Sequence, residues 1–552
     1  MTGRFRTVRL ALVFGTFSVV WLTVPGTVAA QQQGAPSAVT PHMAPETVPE
    51  TSFDVPDAAR TALAFTRYAL DVKLEAASAA MHVRAIVTVK NTSAAPLPAI
   101  PLQISSTLVW ETIEADGKKL SFAHHTVDTD ADHTGAMNEA WITFGTPLAP
   151  GEARTLTVFY GGTLSPSAQR LERIGTPPDI AIHSDWDGIR EDFTGLRGFG
   201  NVLWYPACAP PVALGEGDRL FAQIGEVKQR ESTAIVTMTV TEEFAGDPPN
   251  AAFLDGVPVP VRVDADPKGD LPGVVSVSLP ETPLGFTAPS LFVARRTLES
   301  GNNVRLYARQ GNAAATQAYT TAASILAPQL TDWLGAQPKG QLSVLDLPEA
   351  DDSPGEERAL WLTNIATVDP KRLETPMSHV LAHAWFASTR PWLFEGVAQF
   401  MASLWTEHQS GRETAITQLD NLRGALSLAE TADPDHDPGQ PLISAKDPIF
   451  FRTKATFVFW MLRGIVGDKP LATALREYDA SQDTSAAYLQ HLLEQAANQP
   501  LDWFFRDWVD RDRGLPALSV EGVTPSLGSG EDSYIVAVTV SNSGGAVADV
   551  PV

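Results

Sequence analysis

The hydrophobic pattern changes period twice along the chain, and this predicts a multidomain protein of β plus α/β class. From Arg67 the apolar residues alternate with polar ones; after about residue 305 they fall at helical spacing; beyond Pro516 the alternation returns. The first stretch reads as antiparallel β, the second as a mostly helical region with a few buried strands, the third as the start of a further β unit. Over the 552 residues, 44% are hydrophobic and 19% charged, which supports several real cores and excludes a mainly disordered chain. Lys plus Arg total 40 against 64 for Asp plus Glu, a net charge of −24 that repels phosphate backbones and argues against nucleic acid as a partner.

The chain opens with Arg4, Arg6 and Arg9, then an apolar run from Leu10 to Val24, then the small residues Val28-Ala29-Ala30. That is the layout of a secretory signal peptide. Gly15, Thr16 and Ser18 interrupt the run and Pro25-Gly26 closes it, short of the roughly 20 apolar residues a membrane span needs. Residues 1–30 are therefore expected to be an export signal, leaving a mature chain with no stable span in a periplasm or at a cell surface. Residues 31–60, rich in Gln, Pro, Thr and Ala, read as a linker.

Residues 61–300 are the expected N-terminal β domain, a sandwich or curved saddle. Tyr68, Leu70, Val72 and Leu74 alternate with polar residues, and Met81 to Lys90 repeats the pattern up to a turn at Asn91-Thr92-Ser93. Asp116-Gly117 between two strand-like runs is a hairpin signal. Trp141 to Phe144, Leu156 to Tyr160, Ala234 to Val240 and Val274 to Leu279 add strands. Asp128, Asp130, Asp132 and Glu139 have the spacing of a calcium loop, but His133 stands where that loop needs Gly, so a solvated hairpin loop is expected. Cys208, the single cysteine, excludes a disulfide framework and any multi-Cys metal site; it reads as a buried structural thiol, and a zinc site must then use His and carboxylates.

Residues 301–516 carry the helical spacing. Ala313 to Gly335 reads as a helix broken near Pro328, followed by strands at 341–347 and 359–367. Helices are expected at about 376–388, 392–408, 412–429, 449–466, 468–479 and 484–497, with an acidic solvated loop around Asp433 to Asp437. The aromatic cluster Trp503, Phe504, Phe505 and Trp508 closes the region before Gly514-Leu515-Pro516. Residues 517–552 begin another β unit, shorter than the roughly 100 residues of a closed sandwich.

The chemistry concentrates in Thr375-Pro376-Met377-Ser378-His379-Val380-Leu381-Ala382-His383. Thr375 suits an N-cap and Pro376 the first helical position. His379 and His383 then lie one turn apart on one helix face, the spacing at which two imidazoles ligate one tetrahedral metal. A second helix beginning near Trp392 carries Glu395 in its first turn, a candidate third ligand. Such a pair taken alone favours a structural role over a metal; the flanking residues shift the balance towards the metal.

His379 through Phe386, followed by Trp392-Leu393-Phe394-Glu395-Gly396-Val397-Ala398, resembles the zinc helix pair of the membrane alanyl aminopeptidase family, gluzincins with H-E-x-x-H-x-W-F and W-L-N-E-G-F-A. Trp204-Tyr205-Pro206 and Pro147 to Glu152 resemble motifs of that family's N-terminal domain. Lys454 through Arg463 resembles its Y-x-K-G helix, and Trp503 to Trp508 its usual end. The resemblance runs in order from about residue 60 to 552. It implies a saddle-like antiparallel β domain at 61–300, a thermolysin-like, mostly helical peptidase domain at 301–516 and the start of a C-terminal β-sandwich at 517–552. It also implies zinc at His379, His383 and Glu395.

Three family residues are replaced. Val380 stands where the general-base Glu should activate water, and valine accepts no proton; such a base contributes about 10²–10⁴-fold. Arg452 stands where a Tyr stabilises the oxyanion. The edge strand that should carry a Glu for the substrate amine is expected at Ala359 to Asn364, which has none; Gly135-Ala136-Met137-Asn138-Glu139 looks like a scrambled copy of that motif within the β domain. The connection between the helices, 11 residues from Ala384 to Phe394, is shorter than the family's. Glu356 and Glu357, on the approach to the edge strand, are the carboxylates available to replace the base, and nothing in the sequence singles either out.

The leading expectation is therefore an exported, aminopeptidase-like pseudoenzyme with a degenerate active site, binding peptides or proteins in the cleft between its β and helical domains. A zinc aminopeptidase with an altered base is the rival, and a structural β-rich envelope protein the third alternative.

Overall fold

The structure, a computed structural model, describes residues 53–301, 303–367, 369–431, 439–529 and 533–550. The export signal, residues 31–52 of the linker and the acidic loop at Asp433 to Asp437 lie outside the described residues.

Two-residue alternation builds the N-terminal half as foreseen. Its main sheet has eight strands, in the order Arg262–Ala265, Gly273–Pro283, Ile235–Phe244, Leu63–Glu75, Ala80–Asn91, Ala153–Thr163, Leu108–Ala115 and Lys118–Lys119. Leu63–Glu75 shows why it pairs on both sides: Leu70, Val72 and Leu74 are buried, while Asp71 and Lys73 face solvent. Neighbours run antiparallel except Leu63–Glu75 with Ile235–Phe244, which are parallel. A three-stranded sheet (Leu97–Ser105, Ala136–Leu148, Phe122–Asp128) packs in the same core. The Asp116-Gly117 turn forms as foreseen, both residues at positive φ, 51° and 70°.

One expectation for this half is overturned. The loop at 129–133 is not solvated: Asp132 accepts from the Leu203 amide at 2.7 Å, Asp130 from the Leu214 amide at 2.8 Å, and Arg170 donates to the Asp130 carbonyl at 2.8 Å. Those lone pairs are committed to protein donors, so the loop is a buried strut. Glu139 is likewise saturated by a bidentate Arg60, by Gln103 and by His125. Cys208 is buried as expected, and burial pushes its thiol well up.

A four-stranded sheet (Val257–Pro258, Ala251–Leu254, Leu291–Ala294, Phe193–Leu196) bridges to the second half. Trp186, Phe193, Phe253 and Phe292 from its side share one core with Tyr307, Leu345, Leu360 and Leu362 of the next sheet. That next sheet has five strands: Thr297–Gly301, Val304–Ala308, Leu342–Asp346, Leu360–Thr363 and, at the edge, Gly355–Glu357. The central three are parallel and the outer two antiparallel to them. The segment expected at the edge, 359–364, is an interior strand. The edge is Gly355–Glu357, and it carries two glutamates.

Helices cover this sheet. Ala313–Leu334 runs unbroken through Pro328. Its buried Leu326, Leu330 and Leu334 anchor the helix on both sides of the proline, so packing overrides the missing N–H. The helix Pro391–Ser410 approaches Ala455–Val466 so closely that a Cβ on Gly396 would lie 2.6 Å from the Ala455 Cβ. The β half contributes an unforeseen helix, Arg219–Glu231, jammed against the helical half: a Cβ on Gly225 would meet the Lys446 carbonyl at 1.7 Å. At the end, Leu518–Leu527 and Tyr534–Asn542 form a two-stranded hairpin with Val520, Val523 and Val536 exposed. Among the described residues no helix is long and apolar enough to cross a membrane.

Candidate metal centre

The histidine helix spans Glu374–Trp385. It starts one residue before Thr375, so Thr375 lies inside the first turn and is not the cap. Pro376 sits within that turn, where a missing N–H breaks no bond. Phe386 leaves the helix extended, five residues turn the chain, and Pro391 opens the partner helix at its first position. Arg390 holds the turn through a bidentate pair with Asp483, at 2.6 and 2.8 Å. The short connection therefore still brings Glu395 to the histidines: its Oε2 is 3.6 Å from His379 Nε2.

The edge strand supplies a second carboxylate. Arg358, in the left-handed region at φ 51°, makes the tight turn between Gly355–Glu357 and Leu360–Thr363. That conformation costs about 1–2 kcal/mol. Four hydrogen bonds offset it: Arg358 donates to the Asp255 carboxylate and carbonyl, at 2.6 and 2.9 Å, and to the Pro283 and Leu284 carbonyls, at 2.9 and 2.6 Å. The strand is thus clamped to the β half, and its alternation sends Glu356 and Glu357 to opposite sides. Glu356 turns to the histidines, its Oε2 3.2 Å from His379 Nε2. Glu357 turns towards Ser290 and Asp255; burial first, then Asp255 beside it, pushes it up to about 8.

One ligand atom each from Glu356, His379 and His383 lies within 4.8 Å of the others. The two imidazoles are about perpendicular, at 83° with centroids 5.2 Å apart, and Phe394 stacks on His383 at 4.1 Å. None of the four ring nitrogens has a well-aligned hydrogen-bond partner among the described residues, although both histidines are buried. His379 Nε2 lies near two carboxylates yet is aimed at neither lone pair. Buried ring nitrogens without aligned partners, grouped with a carboxylate oxygen within 4.8 Å, fit a metal ion, and the imidazole and carboxylate donors suit zinc. Burial pushes His383 down to about 4, leaving the neutral form that ligates metals. For His379 burial acts the same way, but Glu356 and Glu395 outweigh it and raise the imidazole.

Arg452 completes the cluster. It sits in a π-helical turn, Ile449–Lys454, that opens the helix packed on Gly396. It donates to Glu395 Oε2 from Nε at 2.9 Å, with Nη2 at 2.7 Å from the same oxygen, and from Nη2 to Glu356 Oε1 at 2.8 Å. Burial disfavours a charged Glu356, but His379 and Arg452 outweigh it and hold its carboxyl well below the usual range. The side chains of His379 and Glu395 are each 9% exposed; those of Glu356 and Arg452 reach 19% and 29%. The Arg452–Glu356 pair is therefore the solvent-facing side of the site. Lys454, two residues on, points away into a buried triad with Glu430 and Asp512, at 2.9 and 3.2 Å.

No protein-family model matches the sequence, and no curated protein matches it at a significant level. Among solved structures, an M1 zinc metallopeptidase from Deinococcus radiodurans superposes with a TM-score of 0.48 at 19% identity, over 83% of this chain and 96% of that one. The chain resembles the M1 zinc metallopeptidases. A mutant of the Deinococcus enzyme bound to a Tyr-Ser-Ala substrate superposes with a TM-score of 0.46 at 19% identity, over 83% of this chain and 96% of that one. A two-domain M1 mutant bound to L-tryptophan gives 0.47 at 19% identity, over 82% and 95%.

Of the residues suggested by the sequence, His379 and His383 lie in one group of ligand atoms with Glu356, while Glu395 stands beside that group, 3.6 Å from His379 Nε2. The sequence could not choose between Glu356 and Glu357, because the choice depends on which side of the strand faces the helix. Two further neighbours were missed. Phe394 stands where the family motif has Asn and covers one face of His383. Lys228, on the unforeseen helix, lies close enough for its charge to act on Glu357, Glu395 and Glu356. The spacing of Leu220, Ile224 and Val227 would have revealed that helix.

Proposed function

We propose that this chain is an exported, metal-binding module with the layout of a zinc aminopeptidase, which recognises peptide or protein ends near His379 and His383 but has lost efficient hydrolysis. One observation carries the reading: the helix position between the two histidines that would present a base is Val380, 4% exposed and packed in the helical core, while both nearby carboxylates are held by Arg452. Zinc bound by His379, His383 and a carboxylate would supply Lewis-acid polarisation of a ligand carbonyl. Glu356, on the solvent-facing side, would receive the cationic amine of a peptide N-terminus. Export rests on the arginine-led apolar start of the chain.

The test is titration of the zinc-loaded mature protein with short unblocked peptides and their N-acetylated forms, beside an aminoacyl-anilide turnover assay. Binding that requires a free amine and weakens in Glu356→Gln, with turnover near background, is the expected result. Glu356 also favours a second reading, because it stands beside His379 and could act as base if Glu395 is the metal ligand. Wild-type turnover abolished by Glu356→Gln would establish that reading in place of the first.

A further inference from the structure

The family-like ligand set lies beside a cation the chain supplies itself. Arg452 bonds Glu395, the carboxylate of the partner helix, and Glu356, the carboxylate of the edge strand, with one guanidinium. These are the two anionic groups a metal at His379 and His383 would draw on. The guanidinium cannot leave without stranding two mostly buried carboxylates. At Glu395 both of its contacts fall on Oε2, the oxygen that faces His379, so an incoming ion must compete for it there; at Glu356 it holds Oε1 and leaves Oε2 towards His379. It is also the most exposed member of the cluster. Its turn is firmly seated: the Arg452 carbonyl accepts from Thr456 at 2.7 Å, and Lys454 anchors the other end in the buried triad.

We infer that Arg452 is a built-in competitor for the metal: its guanidinium neutralises Glu356 and Glu395 in the metal-free protein, and coordination of a divalent cation by Glu395 requires it to give up the Oε2 that faces His379. This deepens the metal-centre reading above and rests on it. Two consequences follow. Metal affinity is weaker than the same ligands would give alone, because charge-assisted hydrogen bonds are broken on binding. The metal-free protein keeps an ordered site, because the carboxylates are never left uncompensated.

The experiment is zinc titration of the mature protein against a chromophoric chelator, with thermal unfolding of metal-free and zinc-loaded samples. Wild type is compared with Arg452→Gln, Arg452→Met and Arg452→Lys. The neutral variants should bind zinc about 10- to 100-fold more tightly, the worth of one charged hydrogen bond, while melting at lower temperature than wild type when metal-free. Lysine retains the charge and should stay near wild-type affinity. If glutamine does not fold, methionine keeps the aliphatic packing and reads the same quantity. Zinc binding by the neutral variants alone would mean that Arg452 excludes the metal outright, and supports the inference in its strongest form. Equal or weaker affinity in the neutral variants overturns it while leaving the metal centre standing. No zinc bound by any variant at millimolar concentration overturns both.

Discussion

Replacing Val380 by Glu together with Arg452 by Tyr should raise hydrolysis of aminoacyl anilides above the wild-type rate. The structure sets both sides of the balance. Val380 is 4% exposed within the helical core, so losing its burial costs about 1.5–3 kcal/mol, with a further penalty unless the new carboxylate reaches the metal or its water. Removing Arg452 frees Glu356 and Glu395 from their shared cation, a cost that bound zinc would offset. Against this, a positioned base is worth about 10²–10⁴-fold, or about 2.7–5.5 kcal/mol of barrier, and a tyrosine hydroxyl adds an oxyanion donor. The double variant should melt lower than wild type but hydrolyse aminoacyl anilides at least about 100-fold faster. The assay is release of the anilide chromophore by zinc-loaded protein, with a urea unfolding curve for each sample. A double variant that folds, binds zinc and stays inert would refute the claim that base and oxyanion donor are what is missing. So would a wild type that already turns over at the same rate.

Other consequences lie outside the metal centre itself. Lys454→Met should cost about 3–5 kcal/mol, read by urea unfolding, because it strands the Glu430 and Asp512 carboxylates, both almost wholly buried; adding Glu430→Gln and Asp512→Asn should recover part of the loss. Arg390→Ala breaks the bidentate pair with Asp483 and should cost about 1.5–3 kcal/mol by thermal or urea unfolding. Because Arg390 holds the turn that delivers Glu395, zinc affinity should fall in the same variant. Glu242, in the main sheet, is pushed up to about 8 by burial, against a weaker pull from Thr194. The folded state therefore keeps a proton that the unfolded state releases above its own carboxyl pKa. The stability this confers is complete below about pH 4.3 and is lost as pH rises through about 8. Glu242→Gln should flatten the stability profile across that window by up to about 1.4 kcal/mol per pH unit.

Most of the helical half was legible because its signals are local. The expected helix at 412–429 forms over Arg412–Ala429, and the one-turn spacing of His379 and His383 fixes their common face wherever the helix ends. Glu395 was legible as an in-phase residue of the next helix. The rest depends on packing. Strand alternation tells that Glu356 and Glu357 part company, but only the clamp from Arg358 to Asp255 decides which of them meets the histidines. Pro328 signals a break that Leu326 and Leu330 suppress by burial. The acidic run at 128–132 has the composition of a solvated loop, yet Arg170 and the backbone amides of Leu203 and Leu214, all distant in sequence, bury its residues from Thr129 on. The parallel pairing of Leu63–Glu75 with Ile235–Phe244 joins strands separated by most of the β half, and no local signal announces that.

The most direct measurement is the zinc content of the purified mature protein after dialysis against excess zinc, by elemental mass spectrometry, beside His379→Ala and His383→Ala. The account predicts about one zinc per wild-type chain and none retained by either variant. Zinc absent from wild type and from Arg452→Gln alike, or retained equally by the histidine variants, would contradict it.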